Sequence, residues 1–194
     1  MPNWCDNLFK VTHSDPAMID RFYNAYEQGQ LCNEFIPTPE GLLKITAPNR
    51  TNPEEMTKQY GFPDWYSFRV AKWGTKWDIG SKRGSDGSIS RDDSNTVSGS
   101  FSSAWSPPVE LFKYLANELG YQVELTYNEP GNCFCGSFTQ GFDICFAYDD
   151  LKELIERTID DSSDNLACKA IKHLQQVAID LATEWLIEFT ENNE

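Results

Sequence analysis

Cysteine, histidine and glycine-rich stretches are where this chain could do chemistry. Cys133-Phe134-Cys135 puts two thiols at alternate positions of one expected strand, and Cys145 falls on the facing strand. An even-length turn at Gln140-Gly141 sets Cys133 and Cys135 on the face of Ile144 and Phe146 and turns Cys145 to the opposite face. The three thiols therefore do not converge, and the spacing suits neither a zinc knuckle nor a redox C-x-x-C pair. They read as reduced, buried, small apolar residues, and no metal is expected. His13 and His173 are the two histidines, and neither neighbours a serine or cysteine nucleophile in sequence. No G-x-S-x-G, H-E-x-x-H or Walker-type spacing occurs. Gly80-Ser81-Lys82-Arg83-Gly84 has the look of a phosphate-cradling loop but lacks its spacing and its following helix. Lys82, Arg83 and Arg91 make the nearest thing to a basic patch. No catalytic residue and no cofactor is assigned.

Tryptophan-rich stretches offer more. Met1-Pro2-Asn3-Trp4-Cys5-Asp6-Asn7, Lys72-Trp73-Gly74-Thr75-Lys76-Trp77-Asp78 and Phe101-Ser102-Ser103-Ala104-Trp105-Ser106-Pro107-Pro108 hold four of the six tryptophans. On a strand over 75–79, Lys76 and Asp78 face away from the side that Trp77 occupies. Two readings follow. In one, Trp73, Trp77 and Trp105 build a core layer and the polar residues cap turns. In the other they wall a small concave site in which Asn3, Lys76 and Asp78 are the polar contacts.

The elements that must position these residues follow from periodicity. Alternation predicts a strand over 4–12, with Val11 on the face of Phe9. Asp15-Pro16 reads as an N-cap and first-turn proline, and Ile19, Phe22, Tyr23 and Tyr26 form one helical stripe ending near Gly29. Five prolines make 32–63 an irregular insertion. A helix over 63–73 and a strand over 75–79 come next. Residues 80–100, rich in Gly, Ser and Asp, bury too little apolar surface to offset their ordering entropy and are expected to form a mobile hairpin loop. A strand over 97–105 returns, Ser106-Pro107 caps a helix lined by Leu111, Phe112, Leu115 and Leu119, and Tyr121 to Tyr127 alternate as a half-buried strand. A Pro-Gly turn at 128–132 leads to the hairpin 133–139 and 142–148. Two helices, 149–158 and 164–190, end the chain. The fold class is α+β: a ferredoxin-like split βαβ antiparallel sheet with an added hairpin and C-terminal helices. Residues 1–148 form that domain and 149–194 an acidic helical extension.

Charge is uneven. The chain carries 16 Lys+Arg against 30 Asp+Glu, net −14. Residues 1–100 hold 11 basic and 13 acidic side chains, and 101–194 hold 5 and 17. Such a surface does not neutralise phosphates, so direct nucleic-acid binding is not expected beyond weak single-strand contact through the 80–100 loop. It suits a basic protein partner, with Asp180, Glu184, Glu188 and Glu191 as the candidate contact. No membrane span or secretory signal is visible, so the expected place is the cytoplasm, with reduced thiols. Oligomeric state is not set by any of these features.

The three tryptophan stretches, in this order, resemble the YubB-like proteins of bacteriophages and conjugative plasmids, over roughly the first 150 residues. Lys72 stands where an Asn commonly precedes WGTKW in that pattern, and Ser103 where a Thr often stands. The resemblance implies a ferredoxin-like domain and no catalytic residues. The expected function is a non-enzymatic binding module of a phage or plasmid that docks its acidic face on a basic host protein, possible roles being counter-defence or nucleic-acid mimicry. The alternative is a small-ligand protein or enzyme using the tryptophan-walled site.

Overall fold

β1 (Trp4–Thr12) is the strand around which the domain is built. It pairs antiparallel with β3 (Thr96–Ala104) on one side and with β4 (Gln122–Glu129) on the other. β2 (Ser88–Arg91) extends the sheet beyond β3, and β5 (Phe134–Thr139) and β6 (Phe142–Ala147) extend it beyond β4, giving the order β2-β3-β1-β4-β5-β6. α1 (Pro16–Glu27) links β1 to the second half of the chain, and α6 (Val109–Leu119) links β3 to β4. The first four strands with α1 and α6 make the split βαβ of a ferredoxin-like fold. This computed structural model describes residues 3–81, 87–147 and 149–150.

Period-2 alternation decides which face is covered. Cys5, Asn7, Phe9 and Val11 are buried against the helices, whereas Trp4, Asp6, Leu8 and Lys10 point to the open face. Phe9 is the hub of the core, its ring lying 5.6 Å from Phe22, 5.8 Å from Tyr26, 5.7 Å from Phe101 and 6.4 Å from Phe112. It reaches across β3 because its partner there is Gly99. A Cβ at residue 99 would come within 2.8 Å of the Phe9 ring.

Asp15 caps α1 by accepting from Ala17 N, as expected, and Ile19, Phe22 and Tyr26 are its buried stripe. Gln140 (φ 49°) and Gly141 (φ 93°) make the two-residue turn between β5 and β6. Their positive φ values match the right-handed twist of the flanking strands.

Three expectations need correction. Residues 75–79 form no strand, and the second strand is β2, inside the stretch read as a mobile loop. Pairing with β3 orders it, and it needs little apolar content because backbone hydrogen bonds hold it and only Ile89 packs against the core. Residues 82–86 of that stretch lie outside the described residues. Second, the insertion is folded: α2 (Leu31–Phe35), α3 (Glu40–Leu43) and α4 (Pro53–Tyr60) precede α5 (Trp65–Trp73). Leu42, Met56 and Phe68 centre a second small core there, flanked by Tyr60, Phe62 and Trp65. Prolines excluded a long element and left room for short ones. Third, Ser106 does not cap α6: the N-cap is Pro108, without a side-chain bond. The helices expected over 149–158 and 164–190 lie, beyond Asp150, outside the described residues.

Asp64 is the buried N-cap of α5, accepting from Ser67 N at 2.8 Å and from Asn49 N at 3.0 Å. Burial alone would push its carboxyl up, but these N–H bonds outweigh it and hold the group below its usual range. Asp64→Ala should destabilise the fold by about 1–2 kcal/mol, read as a lower urea midpoint at neutral pH. The wild-type advantage should shrink as pH falls below 3.8 towards the lower folded value.

Candidate functional site

The three tryptophan stretches meet at one end of the sheet, joined by a polar network. Asn7 Nδ2 donates to Cys5 O (2.7 Å), Phe101 O (3.2 Å) and Ser103 Oγ (2.9 Å). Two carbonyl acceptors fix the amide orientation. Asn7 Oδ1 is then buried without a hydrogen-bond partner among the described residues. Ser103 Oγ donates to Ser106 O at 2.8 Å, Ser106 Oγ donates to Gly74 O, and Thr75 Oγ1 donates to Ala104 O at 3.0 Å. Trp105 N donates to Asn3 O at 3.0 Å, carrying the β1–β3 pairing one residue further. A threonine hydroxyl at 103 could make the same bonds, so Ser103 keeps the role.

This network separates the residues expected to share a ligand site. Trp73 is fully buried and donates Nε1–H to Ile36 O at 2.8 Å, so it is core and not a wall. Asp78 is buried as well. It accepts from Cys32 N (2.7 Å), Asn33 N (3.2 Å) and Ile79 N (3.0 Å), capping the first turn of α2 from a distance. Asn3 lies against Gly131 in the turn after β4. Lys76 and Trp77, expected on opposite faces of a strand, are together: Lys76 Nζ lies 5.1 Å from the Trp77 ring centroid and 5.8 Å from that of Tyr66. Without a strand at 75–79 no alternation separates them. Trp105 is 43% exposed in a left-handed backbone conformation (φ 73°). The contact candidates Asp180, Glu184, Glu188 and Glu191 lie outside the described residues, as does His173.

What gathers instead is an exposed aromatic band. Trp77 packs on Trp4 with ring centroids 5.8 Å apart. Trp4, Leu8, Tyr66 and Val70 are each 40% or more exposed, the last two one helical turn apart on α5. Sequence reasoning missed Trp4 and Tyr66. The signal for Trp4 was present: once Phe9 and Val11 mark the inner face, alternation puts Trp4 outside.

Other reactive groups are committed elsewhere. His13 Nδ1 accepts from Asp15 N at 2.9 Å and its Nε2 bonds Leu119 O at 3.0 Å. Arg91 pairs with Asp20 at 2.6 Å and covers Tyr23. Burial, reinforced by the Asp78 charge, pushes the Cys32 thiol well up. Cys133 is not on the strand with Cys135; it precedes β5 in a left-handed turn (φ 56°) and is exposed. Cys145 does face away from Cys135, opposite Gly136. No group of three or more His, Cys, Asp or Glu able to hold a metal occurs among the described residues. No helix among them is long and apolar enough to cross a membrane.

The open face of the sheet carries Asp6, Glu124 and the hydroxyls of Ser98, Ser100, Ser102 and Thr126, with Lys10 its one cation among the described residues. Single-strand binding would want several cations beside stacked aromatics.

These features match a known domain. Residues 73–165 match the family model described as the ferredoxin-like domain in Api92-like protein. The chain thus contains a ferredoxin-like domain. The match takes in the third tryptophan stretch and the second from Trp73 on, runs past residue 150, and leaves out the first stretch. Protein api92 from Yersinia pseudotuberculosis, a solved structure, is 11% identical with a TM-score of 0.41, over 76% of this chain and 98% of that one. No curated protein matches.

Two outcomes test the network. Gly74 (φ 87°) ends α5, and a Cβ there would lie 2.8 Å from Pro107 O. Gly74→Ala should therefore cost at least about 2 kcal/mol in urea unfolding. Burial chiefly, moderated by Ser103 and increased by the Glu129 charge, raises the Cys5 thiol from 9.0 to about 12. An unfolded chain ionises this group first, so its contribution to stability is intact below pH 9 and is lost as pH rises towards 12. Cys5→Ala should flatten part of the fall in melting temperature over that range.

Proposed function

We propose that this chain is a non-enzymatic interaction module of a mobile genetic element whose partner is a basic protein of the bacterial host. The observation that carries this reading is the exposed band formed by Trp4, Tyr66 and Val70 around the half-buried Trp77. Rigid aromatic side chains left in water beside apolar ones are what the centres of protein interfaces are made of. They give large contact area while losing few rotamers on binding. A net charge of −14 supplies the partner's sign. It draws a basic protein in by long-range attraction and accelerates encounter at low ionic strength. Docked there, the acidic chain competes with the anionic ligand that the basic partner normally holds.

Catalysis finds less support. The described histidine is bonded through both ring nitrogens, and burial drives the Cys5 and Cys32 thiols away from the reactive thiolate. An enzyme needs a base within reach of a positioned nucleophile, and the residues once expected to share a ligand site are divided between core, cap and surface.

Tagged full-length chain should capture one basic protein near stoichiometry from nuclease-treated host lysate at about 50 mM salt, and much less at about 500 mM, where screening shortens the reach of charge. Tyr66→Ala combined with Val70→Ser, both on the exposed face of α5, should abolish capture while leaving the melting temperature nearly unchanged. Capture indifferent to both salt and the double variant would overturn the proposal.

A further inference from the structure

Trp4 and Asp6 stand two residues apart on the open face of β1, so their Cα atoms are about 6.7 Å apart. In the cross-strand register Asp6 lies between Ser102 on β3 and Asn128 on β4. Ser102 Oγ donates to Asp6 Oδ1 at 3.3 Å. The other carboxylate oxygen has no donor among the described residues. Beside it a shallow depression of about 400 Å³ is lined by Asp6, Leu8, Ser100, Ser102, Thr126 and Asn128.

Three other indoles among the described residues already carry a cation. The Arg69 guanidinium lies 5.1 Å from the Trp65 centroid and 4.6 Å from that of Trp73, and Lys76 lies over Trp77. Trp4 is 46% exposed and, like Trp105, has no such cation among the described residues, but only Trp4 has a carboxylate two residues along the same strand face. An accessible indole next to an exposed carboxylate is complementary to one side chain above all others. Arginine's planar guanidinium can stack on the ring and turn its N–H fork to the carboxylate, while a lysine ammonium can do only one of these well. Phosphate and carboxylate ligands would meet the negative charge of Asp6 and of Glu124 on the same face, with Lys10 the single compensating cation among the described residues.

We propose that Trp4 and Asp6 form a guanidinium pocket that takes an arginine side chain of a basic protein, with the neighbouring depression receiving the adjoining stretch of that partner's backbone. Hydroxyls of Ser100 and Ser102 are placed along it to bond peptide groups. The pocket rests on the basic-partner reading above and specifies the chemistry by which that partner is recognised.

Two blocked peptides of equal length and charge, one of Arg-Gly repeats and one of Lys-Gly repeats, test it with the full chain by calorimetry and by NMR of the tryptophan indole N–H groups. The arginine peptide should bind about tenfold more tightly than the lysine peptide and should move the Trp4 indole resonance. Asp6→Asn keeps the size of an exposed side chain and should weaken the arginine peptide about five- to tenfold while scarcely changing the lysine peptide. Trp4→Phe should fall between wild type and Trp4→Ala. Equal affinity for the two peptides, no binding of either, or indifference to Asp6→Asn would overturn the pocket. If Asp6→Asn leaves capture of the host protein intact while Tyr66→Ala/Val70→Ser abolishes it, the pocket fails and the interaction module stands.

Discussion

Everything in this domain depends on β1 being hydrogen-bonded on both sides. A strand held between β3 and β4 cannot slip by one residue without turning its whole apolar set into water. The odd residues therefore go to the helices and the even ones to the open face. Phe9 anchors the aromatic core from this position, and Asn7, one pair nearer the chain start, anchors the polar one. The even residues Trp4 and Asp6 are thereby forced outward, whatever their affinity for burial.

The tryptophan stretches owe their polar residues mainly to structure. Asn7, Ser103, Ser106 and Thr75 satisfy backbone carbonyls where a strand end, a helix end and a Pro-Pro turn come within reach of one another. Buried polar groups of this kind are expensive when left unpaired and rigid when paired. The network therefore fixes the relative placement of segments that are about seventy or more residues distant in sequence from β1.

A second consequence concerns the insertion. Its small core around Leu42 and Met56 is closed by Phe68 of α5, and Trp73 Nε1–H to Ile36 O and the Asp78 cap on α2 pin it to the main domain. Only because α5 is held in this way does the loop after it bring Trp77 onto Trp4 and leave Tyr66 and Val70 in solvent. The buried Trp73 and Asp78 and the half-buried Trp77 and Lys76 are thus two sides of one anchor.

From the sequence came the elements whose side chains repeat with a clear period or that end in a recognisable cap. β1, α1, α6, β4 and the Gln140-Gly141 hairpin are of this kind, and so is the ferredoxin-like order, because local backbone preference and one buried face agree in each. β2 was not legible: its four residues are held by pairing with β3, which no local pattern in Ser88–Arg91 announces. Nor was the division of the candidate site. Trp73 and Trp77 look alike in the sequence, but one is fully buried with its N–H on Ile36 O and the other is half-buried between Trp4 and Lys76 at the surface. Composition set the charge and the abundance of tryptophan. Which tryptophans reach solvent, and which carboxylate stands beside one of them, was decided by long-range pairing that only the folded chain brings about.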